Sequence, residues 1–250
     1  TGTLTGSGAN RKYVTIDKIP ENLQHAFVAI EDSRFYQHNG IDIKGIIRAG
    51  MVGIMNGGNF TEGASTITQQ LIKNNVFPDF VNETKYEKVE RKLQEQYLAI
   101  QIEKMLDKDT ILESYLNTIN LGQNTLGVQT ASQRYFGKDV SELNLSECAT
   151  IAGITQSPGR YNPITNPEEN AKRRDKVLKN MLEQGWINQE EYDEAEADDV
   201  YARIQTVNTE VLAESNITSY FNDALTEQLM DDLTSEKGLN YSDTQAYNAL

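Results

Sequence analysis

Apolar residues recur at helical spacing along most of this chain beyond about residue 20. The clearest stripe follows Asp109 and consists of Ile111, Leu112, Tyr115, Leu116 and Ile119. This spacing places side chains on one face of an α-helix, whereas a half-buried strand alternates apolar and polar residues. Because the sequence shows no run of alternating strands, we predict a mainly α fold in which this stripe is buried.

A long helix is predicted over about Glu83 to Leu106, with an apolar face and a charged face. The apolar face carries Val89, Leu93, Tyr97 and Ile100, and the charged face carries Lys88, Arg91, Lys92 and Glu95.

Boundary signals are clearest in the second half of the chain. The order Asn166-Pro167-Glu168-Glu169 is typical of a helix cap, a first helical residue and an early acid. Gly185 is expected to end that helix, and Asn188 with Glu191 to begin another. The segment from Tyr201 to Val207 is interpreted as a short strand.

Composition excludes several function classes. The 23 Lys and Arg residues face 37 Asp and Glu residues, and this net charge of −14 argues against nucleic-acid binding, which needs a basic surface. The lone cysteine, Cys148, lies in an apolar run and is interpreted as a buried side chain. With only His25 and His38 beside it, no zinc site is expected.

An acidic pair, Glu31 and Asp32, ends the apolar run 26–30. Solvated acids at a helix end, or an acid that bonds nearby backbone N–H groups, are the ordinary interpretation of such a pair. Glu31 directly follows the apolar residues, and a partly buried carboxylate can exchange protons near neutral pH. The pair is therefore a candidate for acid–base chemistry, whereas His38 alone is more often structural.

The segment Gly63–Asn74 reads GASTITQQLIKN. Thr66 and Gln69 have the spacing of a capping box. Thr66, Gln70 and Lys73 then share one helix face, and a hydroxyl, an amide and an ammonium suit a sugar–phosphate ligand. An ordinary solvated face is the alternative.

A basic cluster precedes Glu95 in this acidic chain, and it consists of Lys85, Lys88, Arg91 and Lys92. Arg91 and Glu95 are four residues apart, but base before acid is the poorer order for helix stability. The cluster suits a pyrophosphate, and a plain surface ion pair is the alternative.

Taken together and in this order, these sequence elements are much more specific for one protein family than any of them is alone. EDSRFYQHNG, GASTITQQLIKN, RKLQEQYLAIQIE and KDTILESYLN closely resemble the successive signature motifs of the bacterial peptidoglycan glycosyltransferases, and SPGRYNP resembles a later motif. That family forms the glycan-polymerising module of class A penicillin-binding proteins and also occurs as single-domain enzymes. The resemblance covers about residues 13–200.

The resemblance implies a lysozyme-like, two-lobed fold with a large head lobe and a small membrane-proximal jaw lobe at about 41–90. The apolar stripe that would partly face the membrane consists of Ile43, Ile46, Ile47, Ile54 and Met55.

It also implies a domain organisation. Residues 13–205 would form the glycosyltransferase domain, and residues 1–12 a flexible lead-in after a missing N-terminal membrane anchor. Residues 206–250, with a last helix over about Thr218 to Leu233, would be a linker toward a missing transpeptidase domain. The Ser-x-x-Lys and Lys-Thr-Gly motifs of that domain do not occur in the sequence.

The implied activity is polymerisation of lipid II at the outer face of the bacterial cytoplasmic membrane. A growing glycan strand is the donor and a new lipid II the acceptor. The product is a β-1,4-linked glycan formed with inversion at the anomeric carbon, and undecaprenyl pyrophosphate is released.

The residue roles follow from the matched motifs. Glu31 matches the catalytic glutamate, which takes the proton of the acceptor's 4-hydroxyl. Glu95 matches a second essential glutamate, which either orients nearby cations or binds a divalent ion, Mg²⁺ or Mn²⁺; no organic cofactor is expected. Lys73, Arg91 and Lys92 supply positive charge to the leaving pyrophosphate.

The remaining expected site residues surround these groups. Asp32, Phe35 and His38 would shape the site around Glu31. Ser65, Thr66 and Gln70 would bind sugar or phosphate oxygens, and Glu113 would pack and form hydrogen bonds beneath the site.

Two other functions remain open from the residues alone. A glycan hydrolase would use two carboxylates, one of which protonates the glycosidic oxygen, but it gives the cation cluster no role. A non-catalytic binding module would tolerate loss of Glu31 or Glu95, yet both lie in intact motifs.

Overall fold

The protein is described by a computed structural model over residues 10–55, 64–77 and 83–209. Its helices are α1 (Glu21–Glu31), α2 (Ile43–Met55), α3 (Ile67–Val76), α4 (Lys85–Met105), α5 (Lys108–Thr118), α6 (Val128–Phe136), α7 (Leu145–Gly153), α8 (Pro167–Glu183) and α9 (Gln189–Ala197), followed by a helix over residues 200–209. Strands β1 (Asn10–Arg11) and β2 (Thr125–Leu126) form one short parallel pair. The predicted mainly α class is confirmed, and this architecture is consistent with the implied lysozyme-like fold.

The core lies where these helices meet. Helix α7 packs against both α1 and α8, and α3 packs against both α4 and α5. The predicted stripe of α5 is confirmed, since each of its five residues is at most 4% exposed. Fully burying such a side chain contributes roughly 1.5–3 kcal/mol. Phe27 of α1 packs edge to face on Tyr115 of α5, with ring centroids 6.1 Å apart. This contact fixes α1 relative to α5.

Cys148 is fully buried in α7, as the sequence predicts. Burial raises the pKa of its thiol, because the thiolate would lose its hydration. The cysteine is therefore a packing residue and not a nucleophile.

The capping predictions hold in part. Asn188 and Glu191 form the predicted capping box at α9. At α3 the Thr66 hydroxyl accepts from the Gln69 backbone N–H at 3.2 Å, but the Gln69 side chain donates to the Gly40 carbonyl and not to Thr66. The reciprocal half of the predicted box is therefore absent at α3.

Helix α8 begins at Pro167 as predicted. Just after the end of the helix the chain turns at Gly185, which has a φ of +76°. Asn166 occupies the predicted N-cap position, but its side chain forms no capping bond. The Asn166 side chain donates to the Gly159 carbonyl at 3.0 Å and does not bond the first turn of the helix. Glu169 pairs instead with Arg160 at 2.9 Å.

The predicted strand at residues 201–207 is also wrong, because the segment is helical. Val200 and Ile204 are buried four residues apart, which is the spacing of one helical face. The Asp199 carboxylate accepts from the Ala202 N–H at 3.2 Å and stabilises the first turn. The helix expected over about Thr218 to Leu233 lies outside the described residues.

The N-terminal segment differs from the expected lead-in. Asn10 and Arg11 pair in register with Thr125 and Leu126. The Arg11 guanidinium donates to the Asn117 carbonyl at 2.9 Å, so residues 10–12 belong to the folded unit. That compact unit ends at Ile204.

Helix α4 exposes its apolar face. Val89, Leu93 and Tyr97 are 61%, 63% and 65% exposed, whereas Arg91 is 7% exposed and Glu95 is fully buried. An amphipathic pattern alone favours the opposite orientation. Local patterns are most often overridden at functional sites, and this buried charged face marks α4 as part of one.

Helix α2 also presents apolar side chains to solvent. The exposed fractions lie between 39% and 82% for Ile43, Ile46, Ile47, Met51 and Met55. The side chain of Ile54 lies outside the described residues. Among the described helices, none is both long and apolar enough to span a membrane.

Candidate active site

The site is centred on Glu31, the last residue of α1. Val28 and Ala29, in the turn before it, are buried, and the Asp32 N–H closes the helix on the Val28 carbonyl at 3.0 Å. Two side-chain amides of the α8 segment, from Asn180 and Gln184, donate to the Ala29 carbonyl at 3.1 and 3.0 Å. The half-buried Glu31 side chain therefore starts from a fixed backbone.

Both oxygens of the Glu31 carboxylate accept hydrogen bonds from neutral groups. Gln70 Nε2 donates to Oε2 at 2.8 Å, and the Thr155 hydroxyl donates to Oε1. The phenol of Tyr115 donates to Gln70 Oε1 at 3.2 Å. Burial, and then the charges of Glu31 and Asp32, raise the pKa of Tyr115 well above its ordinary value, so this phenol remains a donor.

Asp32 is buried, and its carboxylate is occupied by hydrogen bonds that hold the backbone in place. Its Oδ2 accepts from the Ile67 N–H at 3.0 Å and lies 2.9 Å from His38 Nε2. These contacts tie the end of α1 to the first residue of α3 and so place Gln70 opposite Glu31.

Phe35 and His38 lie behind this connection. The helix does not continue beyond Glu31, because Phe35–Gln37 forms a separate 3₁₀ turn. Phe35 is fully buried in the core, edge to face with His38 at a centroid distance of 6.3 Å. Phe35 therefore supports the site from within the core, and His38 supports Asp32.

The predicted cation cluster is assembled around the buried Glu95. Arg91 Nη1 donates to Glu95 Oε1, and Lys92 Nζ donates to Oε2 at 2.6 Å. Lys92 Nζ also donates to Ser65 Oγ at 3.1 Å, and Arg91 Nε donates to Glu83 at 2.6 Å. Glu95 therefore holds both cations in place at the edge of α3.

Lys73 is influenced both by this cluster and by Glu31. Partial burial lowers the pKa of Lys73, the charges of Lys92 and Arg91 lower it further, and Glu95 and Glu31 oppose the shift. The charges of Glu31 and of the cluster therefore act on the same ammonium group.

Glu95, beside which a divalent ion was predicted, has cationic side chains on both carboxylate oxygens. Both carboxylate oxygens already accept from cations, and the described residues contain no group of three or more His, Cys, Asp or Glu side chains placed to hold a metal. The arrangement fits the other predicted role, orientation of Arg91 and Lys92.

The Thr66 side chain also bonds within the protein and not toward the cleft. It is 1% exposed, and its hydroxyl donates to the Gly40 carbonyl at 2.8 Å. Glu113 connects the N-terminal segment to α5, because its carboxylate accepts from the Tyr13 phenol and from the Ile16 N–H, the latter at 2.7 Å. Thr66 and Glu113 thus position other elements.

A cleft of about 500 Å³ opens beside Glu31. The predicted residues Asp32, Ser65 and Gln70 line it with Glu31. Sequence reasoning missed the far wall, which is formed by Arg48, Gln156, Arg173, Lys176, Asn180 and Gln184. Arg173 and Lys176 are basic residues three positions apart in α8, and this pair is the one sequence signal that could have indicated these cleft residues.

A helical fold with a carboxylate in a cleft, and with oriented cations nearby, is compatible with an enzyme that transfers a glycosyl group. The chain belongs to the transglycosylase family, since the family model described as Transglycosylase matches residues 1–182. The resemblance is thereby confirmed, and so is the peptidoglycan glycosyltransferase class at the level of the family.

Curated relatives agree with this assignment. Penicillin-binding protein 1A of Clostridium perfringens strain 13 is 49% identical over 193 residues, which cover 74% of this chain and 28% of the relative. The protein of the same name from Escherichia coli K12 is 44% identical over 189 residues, which cover 76% of this chain and 21% of the relative. This chain therefore spans less than a third of the length of these relatives.

Among solved structures, a crystal structure of penicillin-binding protein 1A from Haemophilus influenzae is 27% identical, with a TM-score of 0.46. The match covers 76% of this chain and 18% of that chain.

Proposed function

We propose that this chain polymerises lipid II into β-1,4-linked glycan strands at the outer face of the bacterial cytoplasmic membrane. One observation carries the proposal. The Glu31 carboxylate opens onto the cleft with neutral partners on both oxygens, and Glu95 orients Arg91 and Lys92 next to Ser65, which lines the same cleft.

In the reaction, the 4-hydroxyl of the acceptor lipid II gives its proton to Glu31. The acceptor oxygen forms a bond to the anomeric carbon of the growing strand. The bond from that carbon to the pyrophosphate oxygen breaks on the opposite face, so the configuration inverts. Undecaprenyl pyrophosphate leaves with the bonding electrons.

The leaving group explains the cations. A departing pyrophosphate needs compensating positive charge more than it needs a proton. Lys73 and Lys92 would bind its oxygens, and Arg91 would hold the geometry through Glu83 and Glu95. Mg²⁺ or Mn²⁺ stays a prediction of the sequence, and no step of the proposed mechanism needs it.

Glycan hydrolysis is the less favourable reading of the same site. It requires a second carboxyl group that can protonate the glycosidic oxygen. Asp32 is the adjacent acid, but it is buried and bonded to His38 and the Ile67 N–H. The cation cluster would also have no role.

Membrane placement is supported by the exposed apolar side chains of α2, which would lie in the interfacial layer. The N-terminal anchor and the transpeptidase domain implied by the resemblance stay predictions.

Polymerisation of labelled lipid II in detergent tests the proposal, with a full-length relative as a control for any dependence on an anchor. Glycan product that depends on Glu31 is expected. Cleavage of preformed glycan strands without any product from lipid II would support the hydrolase instead.

A further inference from the structure

Thr155 lies just beyond the C-terminal end of α7 and belongs to none of the recognised motifs. Its half-buried side chain reaches two acceptors. One is Oε1 of Glu31, and the other is the Ala152 carbonyl at 3.1 Å. A hydroxyl has one proton to donate but can also accept, so Thr155 bonds only one of these acceptors as a donor at any time.

We propose that Thr155 is a positioning residue that holds the Glu31 carboxyl group in both of its protonation states during the reaction. This inference rests on the proposed function, in which Glu31 is the base. While Glu31 is ionised, Thr155 donates to Oε1. Once Glu31 has taken the acceptor's proton, the Thr155 proton turns to the Ala152 carbonyl, and the Thr155 oxygen accepts from the new Glu31 O–H.

Gln70 cannot make this exchange. Its carbonyl oxygen accepts from the Tyr115 phenol, so its amide nitrogen faces Glu31. An amide nitrogen donates and does not accept. Turning the amide over would make the Tyr115 oxygen the acceptor and would deprive the phenol proton of its acceptor inside a buried region. Gln70 therefore stabilises only the ionised form, whereas Thr155 can serve both.

The proton balance is closed within this scheme. The acceptor hydroxyl loses one proton, Glu31 gains it, and Glu31 returns it to water before the next addition. The Thr155 hydroxyl changes its orientation and keeps its own proton. No oxidant, metal or further reactant takes part.

Other charged groups surround Glu31. They are Asp32, Arg48 of α2, Lys73 of α3, and Arg173, Lys176 and Glu183 of α8. The phenol of Tyr115 bonds to Gln70. Replacing Thr155 by an uncharged residue leaves all of these charges in place, so a change in the Glu31 carboxyl group reports the lost hydrogen bond.

The first test is spectroscopic and needs no turnover. Infrared difference spectra, with Glu31→Gln as the reference, resolve the bands of the ionised and of the protonated Glu31 carboxyl group in the wild-type chain and in Thr155→Val. A hydrogen bond to a carboxyl group changes its stretching frequency, so a partner of both protonation states affects both bands. We expect both bands to shift in Thr155→Val, and Thr155→Ser to restore both to their wild-type positions.

Thr118→Val is the matched control. Thr118 is also half-buried, and its hydroxyl donates to the Ser114 carbonyl at 2.8 Å and not to Glu31. This variant should leave both infrared bands of Glu31 as they are in the wild-type chain. Thr155→Ala provides a second removal of the hydroxyl if Thr155→Val folds poorly.

The second test is turnover of lipid II. kcat should fall in Thr155→Val, and Thr155→Ser should recover most of the rate. A shift of only one of the two infrared bands, or of neither, in both Thr155→Val and Thr155→Ala overturns the proposal. A wild-type chain whose bands behave as expected but that makes no polymer would instead overturn the proposed function.

Discussion

Gln70 donates a hydrogen bond of 2.8 Å to Glu31, and this bond joins residues that are 39 positions apart in the chain. Because Tyr115 occupies the other end of the Gln70 amide, the orientation of this donor is fixed. Three motifs, on α1, α3 and α5, therefore meet at one carboxylate.

Tyr115→Phe should slow polymerisation without unfolding the chain. The ring remains in the core, but Gln70 loses the bond that orients its amide. A neutral hydrogen bond contributes about 1 kcal/mol, so we expect kcat to fall about fivefold. Tyr135→Phe is the control, because that phenol donates to the Leu121 carbonyl at 2.6 Å, away from Glu31. Equal effects of both variants on kcat would contradict this role.

The sequence predicts the residues of the site better than their contacts. Short motifs identify Glu31, Gln70 and Glu95, because each motif is a contiguous stretch of sequence. Thr155 and Asn180 were missed, because their contacts with α1 join residues more than a hundred positions apart. Such contacts depend on how the helices pack, which local spacing does not specify.

The same limit explains the errors in the fold. Caps with a reciprocal pair, such as Asn188 with Glu191, are local and were predicted. The Asn166 side chain found a partner in Gly159, outside its own helix. Periodicity also located α4 but not its orientation, since burial of the Arg91–Glu95 pair decides which face turns inward.

Lys73→Ala should reduce turnover and weaken a phosphoglycolipid inhibitor of the moenomycin type. Removing a charged contact to phosphate costs roughly 1.5–3 kcal/mol, which corresponds to about tenfold or more in both measurements. Lys104→Ala removes an exposed lysine at the end of α4 and should change neither value. If Lys73→Ala kept the wild-type kcat and the wild-type Kd of the inhibitor, Lys73 would be an ordinary surface residue that does not bind phosphate.

Lys73 also predicts a pH dependence. Burial and the neighbouring cations lower its pKa, so the ammonium loses its proton at a lower pH than an ordinary lysine. Because the charged form binds the phosphate, kcat/KM should fall as the pH rises through this lowered value. Lys73→Arg stays charged at any accessible pH, so its alkaline limb should move upward. An identical alkaline limb in Lys73→Arg would assign that limb to another group.

The apolar surface of α2 should bind lipid. Met51 and Met55 are 60% and 82% exposed, so replacing both with Ser should lower binding to anionic vesicles in a flotation assay. Exposed side chains contribute little to folding, so Tm should change by less than about 2 °C. Met105→Ser, at the end of α4, is the control for an exposed methionine outside this surface. A large fall in Tm would mean that the α2 side chains are packed against the protein.

Glu31 and Asp32 are adjacent acids with different surroundings, and their substitution should separate chemistry from architecture. Glu31→Gln keeps the shape of the side chain and removes the proton acceptor, so the polymerisation rate should fall roughly 10²–10⁴-fold. Folding and binding of a moenomycin-type inhibitor should survive, because Lys73 and Lys92 hold the phosphate.

Asp32→Asn retains an oxygen for the Ile67 N–H, but its amide nitrogen would face His38 Nε2. A matching His38 tautomer would place a proton on Nδ1, which is buried and has no hydrogen-bond partner. That mismatch costs roughly 1–3 kcal/mol of stability, so Asp32→Asn should lower Tm by about 5 °C while folded enzyme keeps most of its rate. Comparing lipid II turnover per folded molecule decides between the two acids: a nearly normal rate in Glu31→Gln, or a folded but inactive Asp32→Asn, would make Asp32 the base.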